Sequence, residues 1–197
     1  MIHLQPWPTL AFVVVMVCWF TFAASFLFHK KPPSPPDKKR DRSSIAGIAL
    51  QGAGYAIVWI VRRPWFTPIF SLGKSVEIVL AVLSMVAAAG SVWLCILAIR
   101  TLGQQWSLAA RVVEGHKLVT KGPYSVVRNP IYTGMLGMLL ATGLAVSHWS
   151  GLLIALVVFG IGTAIRVRSE AALLRETFGE EFESYARRVP AVIPYVI

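Results

Sequence analysis

Arg128-Asn129-Pro130 stands directly against an apolar run that reaches Ile165, and Arg166 and Glu170 close that run on its other side. One end carries a cation, an amide and a backbone-breaking proline, and the other an arginine and a glutamate four residues apart. Two polar clusters far apart in sequence can therefore meet at one depth if the apolar run folds back on itself. Arg166 and Glu170 share a helical face at their i, i+4 spacing, and a planar guanidinium fork suits a carboxylate or a phosphate. Polar groups placed at an apolar boundary in this way point to a cofactor site.

The elements that must position these groups are membrane helices. The 197 residues are 56% hydrophobic and 14% charged, with a mean hydropathy of +0.65, the composition of an integral membrane protein. Apolar stretches run over 10–28, 45–61, 75–99, 131–146 and 151–165, and only the third contains a charge, Glu77 near its start. A bilayer core of about 30 Å takes roughly 20 helical residues, so the first three stretches suffice and the last two are short. A single helix over 131–165 would be about 52 Å long. Ser147-His148-Trp149-Ser150-Gly151 supplies a polar turn instead, and the expected fold is an all-α integral membrane bundle of five transmembrane helices. It comprises three N-terminal helices within 1–100 and a region 101–197 built on a helical hairpin over 131–165. The first stretch has no Lys or Arg ahead of it and exceeds a signal-peptide core, so it reads as a retained helix.

Of the nineteen cations, all but Arg62, Arg63 and Lys74 fall on one side of this scheme. The positive-inside rule then puts the N-terminus outside and the C-terminus in the cytoplasm of a plasma or inner membrane. The net charge of +10 accordingly reports topology and attraction to anionic lipid, and dispersal of the cations through loops argues against a nucleic-acid partner. The Pro-rich basic linker over 30–42 reads as a stiff solvated tether. The connection from Arg100 to Arg128 reads as a folded cytoplasmic loop, and Arg166 to Arg188 as two short amphipathic cytoplasmic helices broken at Gly179 and ending before Pro190. Cys18 and Cys95 lack partners at metal spacing and read as core. Gly52-Ala53-Gly54, Gly134 with Gly137, and Gly160 with Gly162 read as small-residue helix contacts.

The ordered set Gly115-His116-Lys117-Leu118-Val119-Thr120-Lys121-Gly122-Pro123-Tyr124, Arg128-Asn129-Pro130-Ile131-Tyr132, Arg166 to Glu170, Phe178-Gly179-Glu180-Glu181-Phe182, Tyr185 and Val189-Pro190 resembles the isoprenylcysteine carboxyl methyltransferase family and its prokaryotic relatives. The resemblance covers about the last hundred residues. It implies an integral membrane methyltransferase whose S-adenosylmethionine pocket is lined by His116, Lys117, Leu118 and Val119 with Tyr124 beside them, and by Asn129, Pro130, Ile131 and Tyr132. It further implies that Glu170 holds a polar group of the cofactor and that Arg166 faces the methyl acceptor, a lipid-like or prenylated molecule. Two positions depart from the pattern. Asn129 stands where the family often has His, and Ala171 where a second acid commonly follows.

The chemistry agrees with this set. A ligand carrying a sulfonium, an ammonium and a carboxylate needs an acid and donors where water is scarce, and Glu170 and Arg128 are the available pair. Methyl transfer depends on placing the acceptor in line, and a carboxylate acceptor needs no general base. An NADPH-dependent sterol-type membrane reductase resembles a similar C-terminal motif, with Lys117, Lys121 and Arg111 available for the extra phosphate. From outside the enzymes, a non-catalytic membrane scaffold or small transporter predicts tolerance of Glu170→Ala and no cofactor binding.

Overall fold

The computed structural model describes residues 5–27, 37–40, 43–103, 111–113 and 117–194. The helices are α1 (Pro6–Leu27), α2 (Ser43–Ile60), α3 (Lys74–Leu102), α4 (Pro130–Val146), α5 (Trp149–Phe178) and α6 (Glu180–Arg188). Two short strands, β1 (Asp37–Arg40) and β2 (Arg111–Val113), pair antiparallel with Asp37 opposite Val113 and Arg40 opposite Arg111. The expectation of an all-α chain is corrected to this extent: parts of the basic linker and of the Arg100–Arg128 connection meet as a strand pair.

Three helices, α1, α3 and α5, are long and apolar enough to cross a membrane, while α2 and α4 are shorter apolar helices. The protein is an integral membrane protein. Its outward faces are as apolar as its inward ones: Val79, Val82, Val86 and Trp93 of α3 and Leu153, Ile154, Val157 and Ile161 of α5 are all exposed, at spacings that make helical stripes. Glu77 lies in the first turn of α3, where the helix dipole favours an anion.

Packing pairs α5 with α2 and α4 with α3, and α1 lies along α3 and α4. Glycine permits the closest of these approaches. A Cβ on Gly162 would lie 2.8 Å from the Gly47 carbonyl and 2.9 Å from the Gln51 nitrogen, and one on Gly54 would lie 3.0 Å from Phe159 Cβ. Gly134 and Gly137 seat α4 against Ser91 and Cys95 of α3 in the same way, whereas Gly52 and Gly160 face open space, so the small-residue reading holds for four of the six positions. Cys95 is buried, Cys18 is partly buried, and both are free thiols. Polar side chains tie the helices where hydrocarbon offers no competing partner: Trp19 Nε1 donates to Thr142 Oγ1 at 2.9 Å and Tyr55 OH to the Met135 carbonyl at 2.7 Å.

The chain turns between α4 and α5 through Ser147 and His148 alone, a shorter turn than the five polar residues suggest. Residues after α2 hold it. His148 N and Ser147 Oγ donate to the Val61 carbonyl at 2.8 and 3.0 Å. Arg63 spreads its guanidinium over the end of α4, donating from Nη2 to the Leu144 and Ala145 carbonyls at 2.7 and 2.9 Å and from Nη1 to that of Ser147. A cation on the last carbonyls satisfies groups the helix leaves open and suits its dipole. Burial lowers the Arg63 pKa to about 10, which leaves it charged at neutral pH.

The two short helices expected over Arg166–Arg188 are corrected to one. α5 runs unbroken to Phe178, because good helix formers follow Ile165 and nothing breaks the chain before Gly179, whose φ is +52°. At about 1.5 Å per residue its 30 residues exceed a hydrocarbon core of about 30 Å. The helix thus carries Arg166 to the edge of its apolar part and Glu170 one turn beyond.

Candidate active site

The segment leading to α4 is built by a 3-10 turn over Gly122–Ser125, with Gly122 at φ +60° and Pro123 at its start. This turn buries Tyr124. The Tyr124 carbonyl accepts from Tyr185 OH of α6 at 2.6 Å, so α6 is latched against the turn. Burial raises the Tyr124 phenol pKa, reinforced by the negative charge of Glu170, and burial raises that of Tyr185 to about 12. Both phenols are neutral at physiological pH.

After α6 the chain returns beneath the start of α4. Arg128 N donates to the Pro190 carbonyl at 2.8 Å, Asn129 N and Nδ2 both donate to that of Ala191 at 2.9 Å, and Thr133 Oγ1 donates to that of Val192. Asn129 precedes α4, and its carbonyl accepts from Tyr132 N at 3.0 Å. The amide therefore clamps the C-terminal strap while Pro130, buried at the first helical position, starts the helix. Arg128 Nε is buried without a hydrogen-bond partner among the described residues, and burial pulls the Arg128 pKa below the usual arginine value.

The sequence-predicted clusters meet between α4 and α5. Tyr132 OH donates to Glu170 Oε1. The Arg166 guanidinium lies 4.7 Å from the Tyr132 ring centroid, within cation–π range. Its Nη2 is 3.5 Å from Glu170 Oε1, with the Arg166 side chain 5% exposed and that of Glu170 27% exposed. The acid is thus held by a phenol and a cation, and it remains partly open. Lys117, Leu118 and Val119 approach the turn without helix or strand structure, Lys117 exposed and the other two half-buried. Ile131 is half-buried in the first turn of α4. His116 lies outside the described residues.

One member of the cluster escapes the sequence reading. Gln51, in α2 and only 1% exposed, accepts from Arg166 Nη1 at 3.1 Å through Oε1 and donates to Thr163 Oγ1 at 3.0 Å through Nε2. The available signal was an amide inside an otherwise apolar stretch, and a search for charges passes over it.

These features define an integral membrane helix bundle with a buried cation, a partly open acid and two tyrosines gathered at one end. A family profile described as phospholipid methyltransferase matches residues 78–181, just over half of the chain, and the chain belongs to that family. The match begins within α3, further upstream than the motifs themselves, and takes in Tyr124, the Arg128–Tyr132 segment, Arg166 and Glu170. The similarity to isoprenylcysteine methyltransferases also holds. Protein-S-isoprenylcysteine O-methyltransferase B of Arabidopsis thaliana is 35% identical over 102 residues, 50% of this chain and 51% of the relative. Protein-S-isoprenylcysteine O-methyltransferase of Schizosaccharomyces pombe is 35% identical over 97 residues, 48% of this chain and 41% of the relative. Nickel-cobalt-cadmium resistance protein NccN of Alcaligenes xylosoxydans xylosoxydans is 35% identical over 97 residues, 48% and 44% of the two chains. The chain spans about half the length of the curated relatives it matches.

Proposed function

We propose that this protein is an S-adenosylmethionine-dependent membrane methyltransferase acting on a hydrophobic or membrane-embedded acceptor, with a carboxylate as the acceptor group. The observation that carries the reading is the Tyr132–Glu170–Arg166 cluster, which joins the two polar ends of the apolar run inside the family match. The residues suit the cofactor. Arg128 offers a buried Nε–H that has no partner among the described residues, suited to a carboxylate, and Glu170 keeps a partly open acid for a cationic or hydroxyl group. His116, Lys117, Leu118, Val119 and Tyr124 would form one wall of the pocket, and Asn129, Pro130, Ile131 and Tyr132 the next.

Bound S-adenosylmethionine would supply an electrophilic methyl group to the acceptor oxygen and depart as a neutral thioether. Arg166 faces the acceptor and orients its oxyanion, whose attack releases no proton. Limited water around this end strengthens each polar contact, and positioning supplies much of the rate. In this reading all five apolar helices, α1 to α5, lie in the bilayer, 101–197 is the cofactor-binding region supported on the helices of 1–100, the N-terminus is outside and the site is cytoplasmic. A prenylated or lipid-like acceptor then reaches Arg166 laterally from the membrane.

Calorimetry on detergent-purified protein tests the cofactor. The expected result is saturable binding of S-adenosylhomocysteine and none of NADPH. NADPH binding alone would replace the proposal with a reductase, and binding of neither would leave a scaffold.

A further inference from the structure

Arg166 is held from three helices. The guanidinium carbon lies over the Tyr132 ring of α4, Glu170 of α5 lies beside Nη2, and Gln51 of α2 accepts from Nη1. Glu170 and Gln51 engage different terminal nitrogens, so together with the ring they resist rotation of the fork. Gln51 is itself held, since its amide is buried and its Nε2 donates to Thr163. The geometry also requires the close approach of α2 and α5 at Gly47 and Gly162, where a Cβ on Gly47 would meet Arg166 Cγ. An amide in an apolar helix forgoes hydration, and its partner here is the cation to which the proposed function gives the acceptor. Gln51 lies outside the family match.

We propose that Gln51 is a positioning residue that holds the Arg166 fork in the orientation that meets the acceptor, an inference that rests on the methyltransferase reading given above. A neutral amide suits this task because it accepts from the guanidinium without cancelling its charge. A carboxylate at the same place would keep the hydrogen bond and repel an anionic acceptor.

The test measures methyl transfer from labelled S-adenosylmethionine to an S-farnesyl cysteine analogue, with S-adenosylhomocysteine affinity and thermal midpoint read on the same preparations. Gln51→Met, close to glutamine in shape, is expected to lower kcat/KM for the acceptor roughly 10- to 100-fold, as a misplaced orienting group does, at unchanged cofactor affinity. Gln51→Glu should keep kcat and raise the KM of the anionic acceptor. Thr163→Val, which frees only the far side of the amide, should give a smaller loss and carries the test alongside Gln51→Glu if Gln51→Met does not fold. Wild-type kcat/KM in the folded variants, or losses of cofactor affinity and turnover in step with the thermal midpoint, would overturn the inference. An inactive wild type would instead overturn the methyltransferase reading, and the inference with it.

Discussion

Replacing Glu170 by glutamine separates the charge of this group from its shape. The amide keeps an oxygen for Tyr132 OH and for Arg166 Nη2, the two groups that converge on Oε1, so both contacts persist as weaker, singly charged or neutral ones. The change should cost about 1–2 kcal/mol of stability, a few degrees in thermal midpoint for a chain of this size. Under the proposed function the partly open carboxylate is the acid offered to the cofactor, so cofactor binding should suffer more. Loss of one charge-assisted contact of about 1.5–3 kcal/mol corresponds to roughly a 10- to 150-fold weaker complex. Glu170→Ala goes further, stripping a buried guanidinium of its ion partner. Breaking such a pair costs about 3–5 kcal/mol when both charges are enclosed, and the 27% exposure of Glu170 reduces that to roughly 2–3 kcal/mol. Calorimetry with S-adenosylhomocysteine and thermal scans of wild type and both variants supply the readouts, with Arg166→Ala as the contrasting case that loses turnover more than cofactor affinity. Unchanged affinity in Glu170→Gln would take the carboxylate out of the cofactor site and leave it a structural partner of Arg166.

Arg63→Met uncovers the end carbonyls of α4 and should lower stability by roughly 2–4 kcal/mol, seen as a thermal shift, with Arg63→Lys recovering only part because an ammonium lacks the planar fork. Arg175 beside Glu183 holds that carboxyl below the usual range. Its contribution to the α5–α6 joint is therefore complete above the unfolded carboxylate pKa of about 4.3 and is lost as pH falls through the lower folded value. Proteolysis near Gly179 should rise over that acid interval in wild type, while Glu183→Gln should show no such step. A cysteine placed at Asp37 in a protein cleared of Cys18 and Cys95 should react with an impermeant reagent only from the cytoplasmic side. Labelling from outside would invert the proposed orientation.

The bundle was legible because five apolar runs with polar breaks leave few folds open to a chain of this composition. Charge patterning also marked the right ends of the run, and Arg166, Glu170 and Tyr132 do meet. Sequence was less informative where an element ends for a local reason. The turn after α4 needs only Ser147 and His148 because Val61 and Arg63, more than eighty residues upstream, satisfy its open backbone groups. α5 passes the apolar boundary at Ile165 without a break because a helix stops at a backbone signal, here Gly179, and a change of solvent is no such signal. The strand pair rests on main-chain partners far away in sequence, and the Pro190–Val192 strap on main-chain and side-chain donors of Arg128, Asn129 and Thr133 about sixty residues upstream, pairings that residue types do not announce.

Gln51 shows why a site of this kind is only half visible from its motif. The motif residues are read by charge and spacing along two neighbouring segments, but the guanidinium they contain has donors to satisfy in directions those segments do not reach. In a low-dielectric bundle an unsatisfied donor is expensive, so a third helix must supply an acceptor. Adding a carboxylate would oppose an anionic acceptor, and a hydroxyl is shorter than the amide that spans this gap; the requirement selects glutamine or asparagine at a point where α2 and α5 approach through Gly47 and Gly162. On the role proposed for Gln51, a buried amide facing a motif arginine, one turn from an interhelical glycine, is the pattern to look for in orienting residues outside a family's matched segment.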